Sequence, residues 1–128
     1  MSLPGERTKR VLIVDDEESM RLLLQRILQS IPGIETTLAD SGDGAVSLAS
    51  QGSFDLILMD LLMPGLGGIE ALTRMRRSSA SKATPVIIVS VIADPDTRIV
   101  CRSLGVKDYV VKPIQREALL QAVKGALA

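Results

Sequence analysis

Three runs of consecutive apolar residues punctuate the chain, Val11-Leu12-Ile13-Val14, Leu56-Ile57-Leu58-Met59 and Val86-Ile87-Ile88-Val89, with a shorter fourth at Tyr109-Val110-Val111. Successive side chains of a strand point to opposite faces, so a strand that is apolar at every position is covered on both. The runs predict strands near 10–14, 55–59, 86–89 and 108–111. Residues 34–39 alternate polar and apolar side chains and read as a further strand at a sheet edge. Between the strands the period changes to that of a helix. Met20, Leu23, Leu24, Ile27 and Leu28 recur at i, i+3, i+4, i+7 and i+8, predicting a helix over 17–30 that Pro32-Gly33 stops. Ser41 caps a second helix carrying Ala45, Val46, Leu48 and Ala49, and Ile69, Leu72 and Met75 mark a third. Asp94-Pro95-Asp96 opens a fourth that ends near Gly105, and Leu119, Leu120, Val123 and Leu127 mark a fifth.

Strands that alternate with helices over short connections predict βα units around a parallel sheet. Right-handed crossovers leave few topologies for five strands. The expected fold is therefore an α/β, flavodoxin-like, doubly wound five-stranded sheet of order 2-1-3-4-5 with five helices. Its switch point lies between strands one and three. Residues 10–128 form one domain in this reading, and residues 1–9, polar and broken by Pro4-Gly5, are a disordered or vector-derived lead-in rather than a signal peptide.

The 46% of hydrophobic residues suffice for one core in 128 residues, built almost without aromatics because Phe54 and Tyr109 are alone. Base stacking on aromatic platforms is thus not expected, and 15 basic against 15 acidic residues give no electrostatic footprint for direct nucleic-acid binding. No histidine is present, which excludes a His-based triad or zinc site, and the lone Cys101 has no partner for an internal disulfide. Cys101 reads as a small helix-packing residue. No apolar stretch spans a bilayer, so a cytoplasmic protein with no membrane contact is expected.

What the apolar strands deliver at their ends carries the chemistry. The first runs into Asp15-Asp16, the third into Asp60, the fourth into Ser90 and the fifth into Lys112-Pro113. Strands lying side by side bring all of these to one edge, where α/β sheets bind ligands. Asp15 or Asp16 has a structural alternative as the cap of the first helix. No such reason explains Asp60, an unpaired carboxylate closing a strand that apolar. Three carboxylates in one cleft repel one another unless a cation joins them, and Mg²⁺ takes such oxygen ligands. A carboxylate is also a nucleophile toward phosphorus, with Lys112 and Ser90 placed to offset the phosphoryl charge. Gly65, Gly67 and Gly68 let the loop after Asp60 turn sharply.

From Arg10 to Leu127 the chain resembles the receiver domain of two-component response regulators, on Asp15-Asp16, Met59-Asp60 with Met63-Pro64-Gly65, Ser90, and Tyr109-Val110-Val111-Lys112-Pro113. The resemblance implies a phosphorylation-controlled switch, not an enzyme, in which Asp60 accepts a phosphoryl group from a histidine kinase, a phosphotransfer protein or a small phosphodonor. It implies that Asp15, Asp16, Asp60 and the backbone carbonyl of Leu62 hold Mg²⁺, with Mn²⁺ as a substitute, that Lys112 pairs with the phosphoryl group, and that Lys112-Pro113 is cis. Ser90 and Tyr109 are the implied switch pair. The fourth helix, fifth strand and fifth helix form the implied output face, with Arg98, Arg102, Lys107 and Gln121 as polar contacts for an output domain, a downstream protein or a second copy.

This chain departs from the family pattern in having Ser rather than Thr at 90, Ile114 after the Lys-Pro pair, and apolar Leu62 and Ile92, which bear on phosphoryl lifetime. The competing reading is an aspartate-nucleophile phosphatase of the haloacid dehalogenase kind. Its second carboxylate falls at Leu62, which transfers no proton. A flavin or nucleotide binder would need a phosphate-cradling loop after the first strand, where Asp15-Asp16-Glu17-Glu18 repel phosphate.

Overall fold

The computed structural model describes residues 8–128. Five strands alternate with five helices: β1 Lys9–Val14, α1 Glu18–Leu28, β2 Ile34–Ala39, α2 Gly42–Gln51, β3 Leu56–Met59, α3 Gly68–Arg77, β4 Val86–Ser90, α4 Pro95–Ser103, β5 Val106–Val111 and α5 Arg116–Leu127. All neighbouring strands pair in parallel, in the order β2-β1-β3-β4-β5. The expected topology is the one observed. Residues 1–7 of the expected lead-in lie outside the described residues, and Lys9 already belongs to β1.

The uninterrupted apolar strands divide their side chains between two cores. Leu12 and Val14, Ile57 and Met59, and Val86 and Ile88 face one layer with Ala45, Ala49, Leu72, Met75 and Cys101. Val11 and Ile13, Leu56 and Leu58, and Ile87 and Val89 face the other with Leu24, Ile27, Leu28, Leu119 and Val123. Cys101 is fully buried, as a packing residue should be. Leu23 is a correction: counted in the apolar stripe of α1, it is 42% exposed, because Leu24, Ile27 and Leu28 already fill the contact with the sheet.

Other differences lie at element ends. Helix α1 stops at Leu28, short of Ser30, and the chain turns through Gly33 at φ +81°. Strand β5 begins two residues before the expected Asp108, because Gly105 at φ +80° ends the helical region and returns the chain directly to the sheet. Lys107 is the extra residue of a bulge, with Val86 opposite Val106 but Ile87 opposite Asp108. A polar bulged start masks a strand that its apolar end alone reveals. The caps at Ser41 and Asp94 are as expected, accepting from the Gly44 and Thr97 N–H groups at 3.0 and 2.9 Å.

The loop after Asp60 uses its glycines differently from one another. Gly65 alone takes a left-handed φ, +75°. Gly68 is needed for space: a Cβ there would collide with the Asp60 carbonyl and lie 2.7 Å from Leu61 Cα. Gly68→Ala should therefore lower unfolding free energy by about 2 kcal/mol despite alanine's better helix propensity, because backbone must move. Gly125→Ala, with nothing within 4 Å, should instead gain roughly 0.5–1 kcal/mol. Denaturant unfolding of the pair checks both signs, and equal effects would mean that Gly68 is not a packing constraint.

Candidate functional site

The sheet's hydrogen bonding continues one residue past β1 and β3. Asp15 N–H donates to the Ala39 carbonyl at 3.2 Å and Asp60 N–H to the Val14 carbonyl at 3.0 Å. Both carboxylates are thereby launched from rigid backbone at the point where the strand order reverses. Asp15 is fully buried and Asp60 is 4% exposed, whereas Asp16 faces solvent.

Lys112 comes from the far edge of the sheet. Its Nζ donates to Asp15 Oδ2 at 2.9 Å and to Asp60 Oδ2 at 3.0 Å. The other oxygens are held by backbone: Asp15 Oδ1 accepts from Glu17 N–H at 2.9 Å and Asp60 Oδ1 from Leu62 N–H at 3.2 Å. The capping alternative fails here, since Glu17 is the N-cap of α1 and Asp15 closes a turn ahead of it. Arg21, which showed no signal in the sequence, steadies this turn by donating to the Asp15 carbonyl at 2.7 Å.

The expected mutual repulsion of three carboxylates is met in part from within the chain. Lys112 neutralises one charge, leaving a formal −2 from three carboxylates and one ammonium. One oxygen of each of Asp15, Asp16 and Asp60 lies within 4.8 Å of the others. An all-oxygen set with that residual charge and one solvent-facing member fits a hard divalent cation that keeps several waters.

Burial pushes the Lys112 amine pKa down, but hydrogen bonds to Asp15 and Asp60 and their charges together raise it above its ordinary value. A raised folded pKa means that its stabilisation is full below the unfolded lysine value and is lost only as pH climbs through the folded one. Lys112 is therefore protonated at neutral pH.

Ser90 and Tyr109 meet at Ile92. Ser90, fully buried, accepts from Ile92 N–H through Oγ at 3.2 Å and from Lys112 N–H through its carbonyl at 2.9 Å. The Tyr109 phenol donates to the Ile92 carbonyl at 2.6 Å, and its ring packs on the core side of α4. Burial is the main cause that raises the phenol pKa. Leu62 is 52% exposed, Ile92 half-buried, and Lys112-Pro113 is cis.

A family profile described as response regulator receiver domain matches residues 11–124. Protein PilH of Pseudomonas aeruginosa is 34% identical over 119 residues, covering 93% of this chain and 98% of PilH. The solved structure of chemotaxis protein CheY4 of Vibrio cholerae is similar at a TM-score of 0.86 and 31% identity, over 94% of this chain and 99% of that one. The receiver domain of sensor histidine kinase PA1611 from Pseudomonas aeruginosa, solved with a magnesium ion coordinated in its active-site cleft, is similar at 0.84 and 28%, over 93% and 97%. The chain spans half the length of a further relative, the uncharacterized transcriptional regulatory protein YkoG of Bacillus subtilis.

Lys112→Met strips the two buried carboxylates of their ammonium and should cost about 3 kcal/mol of stability in chelator, since a buried pair broken on one side leaves uncompensated charge. The cleft then carries one more net negative charge, so Mg²⁺ should raise the variant's melting temperature by more than the parent's. An equal or smaller Mg²⁺ shift would mean that the cation does not share a field with Lys112.

Proposed function

The chain belongs to the response regulator receiver family, and on that premise we propose that Asp60 is its phosphoacceptor, served by every other group in the cleft. Receiver domains of two-component systems are phosphoacceptor signalling switches, and this chain is one. The observation that carries the assignment to Asp60 is its position: a nearly buried carboxylate at the end of β3, 3.0 Å from Lys112 and within the acidic cluster. In the transfer a carboxylate oxygen of Asp60 attacks phosphorus, the bond from phosphorus to the donor breaks, and the donor departs with that electron pair. Lys112 screens the transferred group, and Ser90, whose oxygen already accepts from Ile92 N–H, keeps its own proton to donate to a phosphoryl oxygen. Asp15, Asp16 and Asp60, with the carbonyl of Leu62, would hold Mg²⁺, which supplies charge neutralisation when bound; Mn²⁺ has the same donor preference.

The comparisons do not support the dehalogenase-type phosphatase, and the side chain where its general acid would stand is Leu62, exposed and apolar. We read the domain as a switch and not as a turnover enzyme for phosphate esters. Receiver domains interact with histidine kinases or phosphotransfer proteins. For this chain we assign output to the face of α4, β5 and α5, toward an attached domain, a downstream protein or a second copy. Arg98, Arg102, Lys107 and Gln121 supply its polar contacts. No helix among the described residues is long and apolar enough to cross a membrane, and we place the protein in the cytoplasm.

Acetyl phosphate with Mg²⁺ should add one phosphoryl group, and Asp60→Asn should abolish the adduct, because an amide is a far poorer nucleophile. Intact mass spectrometry decides: an adduct that persists in the Asn variant places the acceptor elsewhere. The phosphorylated state should also be long-lived, because neither Leu62 nor Ile92 offers a side-chain hydrogen bond to an attacking water. Leu62→Asn combined with Ile92→Glu should shorten it; decay after donor removal that is no faster in the double variant would refute shielding by these side chains.

A further inference from the structure

Tyr109 is held from two directions, and one holder is a residue of α4 that the cleft chemistry does not use. The phenol is tied to the Ile92 carbonyl at 2.6 Å. The guanidinium carbon of Arg98 lies 4.5 Å from the ring centroid, and Arg98 Nε donates to the Ala93 carbonyl at 3.3 Å. The short β4–α4 connection is therefore pinned three times, by Ser90 Oγ, by the Tyr109 phenol and by Arg98. Beside the stack a cavity of about 170 Å³ opens between α4 and β5, with Arg98, Cys101, Val106 and Tyr109 among its walls, so the ring is not confined by packing alone.

We propose that Arg98 is a latch on Tyr109: the stacked guanidinium holds the ring against the β4–α4 connection before phosphorylation and so biases the domain toward its phosphorylated arrangement. The proposal rests on the reading of Ser90 and Tyr109 as a switch pair in which the aromatic ring turned inward, as it lies here against the core and Ile92, belongs to the phosphorylated form. A cation over an aromatic face at a partly exposed site shifts an equilibrium by about two- to fivefold. The Nε contact, long at 3.3 Å, adds direction more than strength. A phosphoryl group that engages Ser90 acts on the same connection through Ile92. Whatever stabilises the held ring must then tighten a phosphoryl mimic by up to the same factor, since a ligand and a latch that favour one state assist each other.

Tyr109 is the chain's single tyrosine and there is no tryptophan, so tyrosine emission and its quenching by acrylamide report this ring alone. The full chain is compared with Arg98→Ala, with Arg98→Lys, which keeps a cation, and with Arg77→Ala, which removes an exposed charge at the end of α3. Far-UV circular dichroism establishes that each is folded. In the absence of ligand, Arg98→Ala should make the tyrosine more quenchable, Arg98→Lys should fall between it and the parent, and Arg77→Ala should match the parent. With Mg²⁺ present, the midpoint for beryllofluoride should rise about two- to fivefold in Arg98→Ala. Unchanged quenching, an unchanged midpoint, or the same changes in Arg77→Ala would each overturn the latch. If beryllofluoride binds Arg98→Ala but does not make its tyrosine less quenchable, the switch reading of Tyr109 itself fails, whatever the ligand-free comparison shows.

Discussion

Two buried carboxylates share one ammonium, and the arrangement of the sheet can be understood from what that requires. Asp15 and Asp60 end neighbouring strands, and Lys112 ends a strand two places beyond Asp60 in the sheet. The lysine must cross the end of β4 to reach them, and the residue it crosses is the small Ser90, whose carbonyl also takes the Lys112 N–H. Burial of either carboxylate without that partner would cost several kcal/mol. The registers meet that need: β1 and β3 end level at Val14 and Met59, and β4 and β5 run on together past Ile88 to Ser90 and Val111, which carries Lys112 beyond the end of β3.

The same requirement explains what sequence could and could not disclose. Strands β1, β3 and β4 are legible because burial on both faces demands apolar residues without a break, and their last residues are legible as chemistry because polarity resumes abruptly there. The Lys112 pairings are not, since they join residues 97 and 52 positions away, and no local pattern encodes a contact at that separation. In the sequence Lys112 is legible only as an offset to phosphoryl charge; in the fold it already offsets Asp15 and Asp60. Arg98 was visible only as a surface contact, because the direction of a half-buried arginine depends on where β5 puts its tyrosine. The start of β5 was hidden for a related reason: a bulge at Lys107 breaks the alternation by which a strand is recognised.

Helix and loop packing bear on the cleft as much as the charged groups do. Gly68 lets α3 begin directly against the Asp60 carbonyl, and Gly42 similarly admits the Leu66 carbonyl to the start of α2. Farther from the cleft, Arg76 donates to the carbonyls of Leu104, Ser81 and Thr84 at 2.8, 3.0 and 2.7 Å, joining the end of α3 to the turn before β5. Burial lowers the guanidinium pKa, yet an arginine remains charged under all ordinary conditions. These contacts brace the ends of α3 and α4, which leaves the β4–α4 connection, pinned by Ser90, Tyr109 and Arg98, as the segment with room to respond.

Charge balance indicates why the cleft keeps one carboxylate in water. With Asp15, Asp16 and Asp60 ionised and Lys112 protonated, the formal charge is −2. In the transfer proposed above, a phosphoryl group on Asp60 would replace one negative charge with roughly two, as in other phosphorylated side chains, and take the sum to about −3. Lys112 can screen the phosphoryl group, but its single positive charge is already counted in that sum. Asp16 is different: exposed, and without a hydrogen bond or ion pair among the described residues, it has its full coordinating capacity free. A solvated carboxylate costs little to maintain and is available when a divalent cation must offset the added charge. Burying Asp16 beside Asp15 would add a third desolvated charge with no second ammonium to meet it, so exposure of this residue follows from the same constraint that buries the other two.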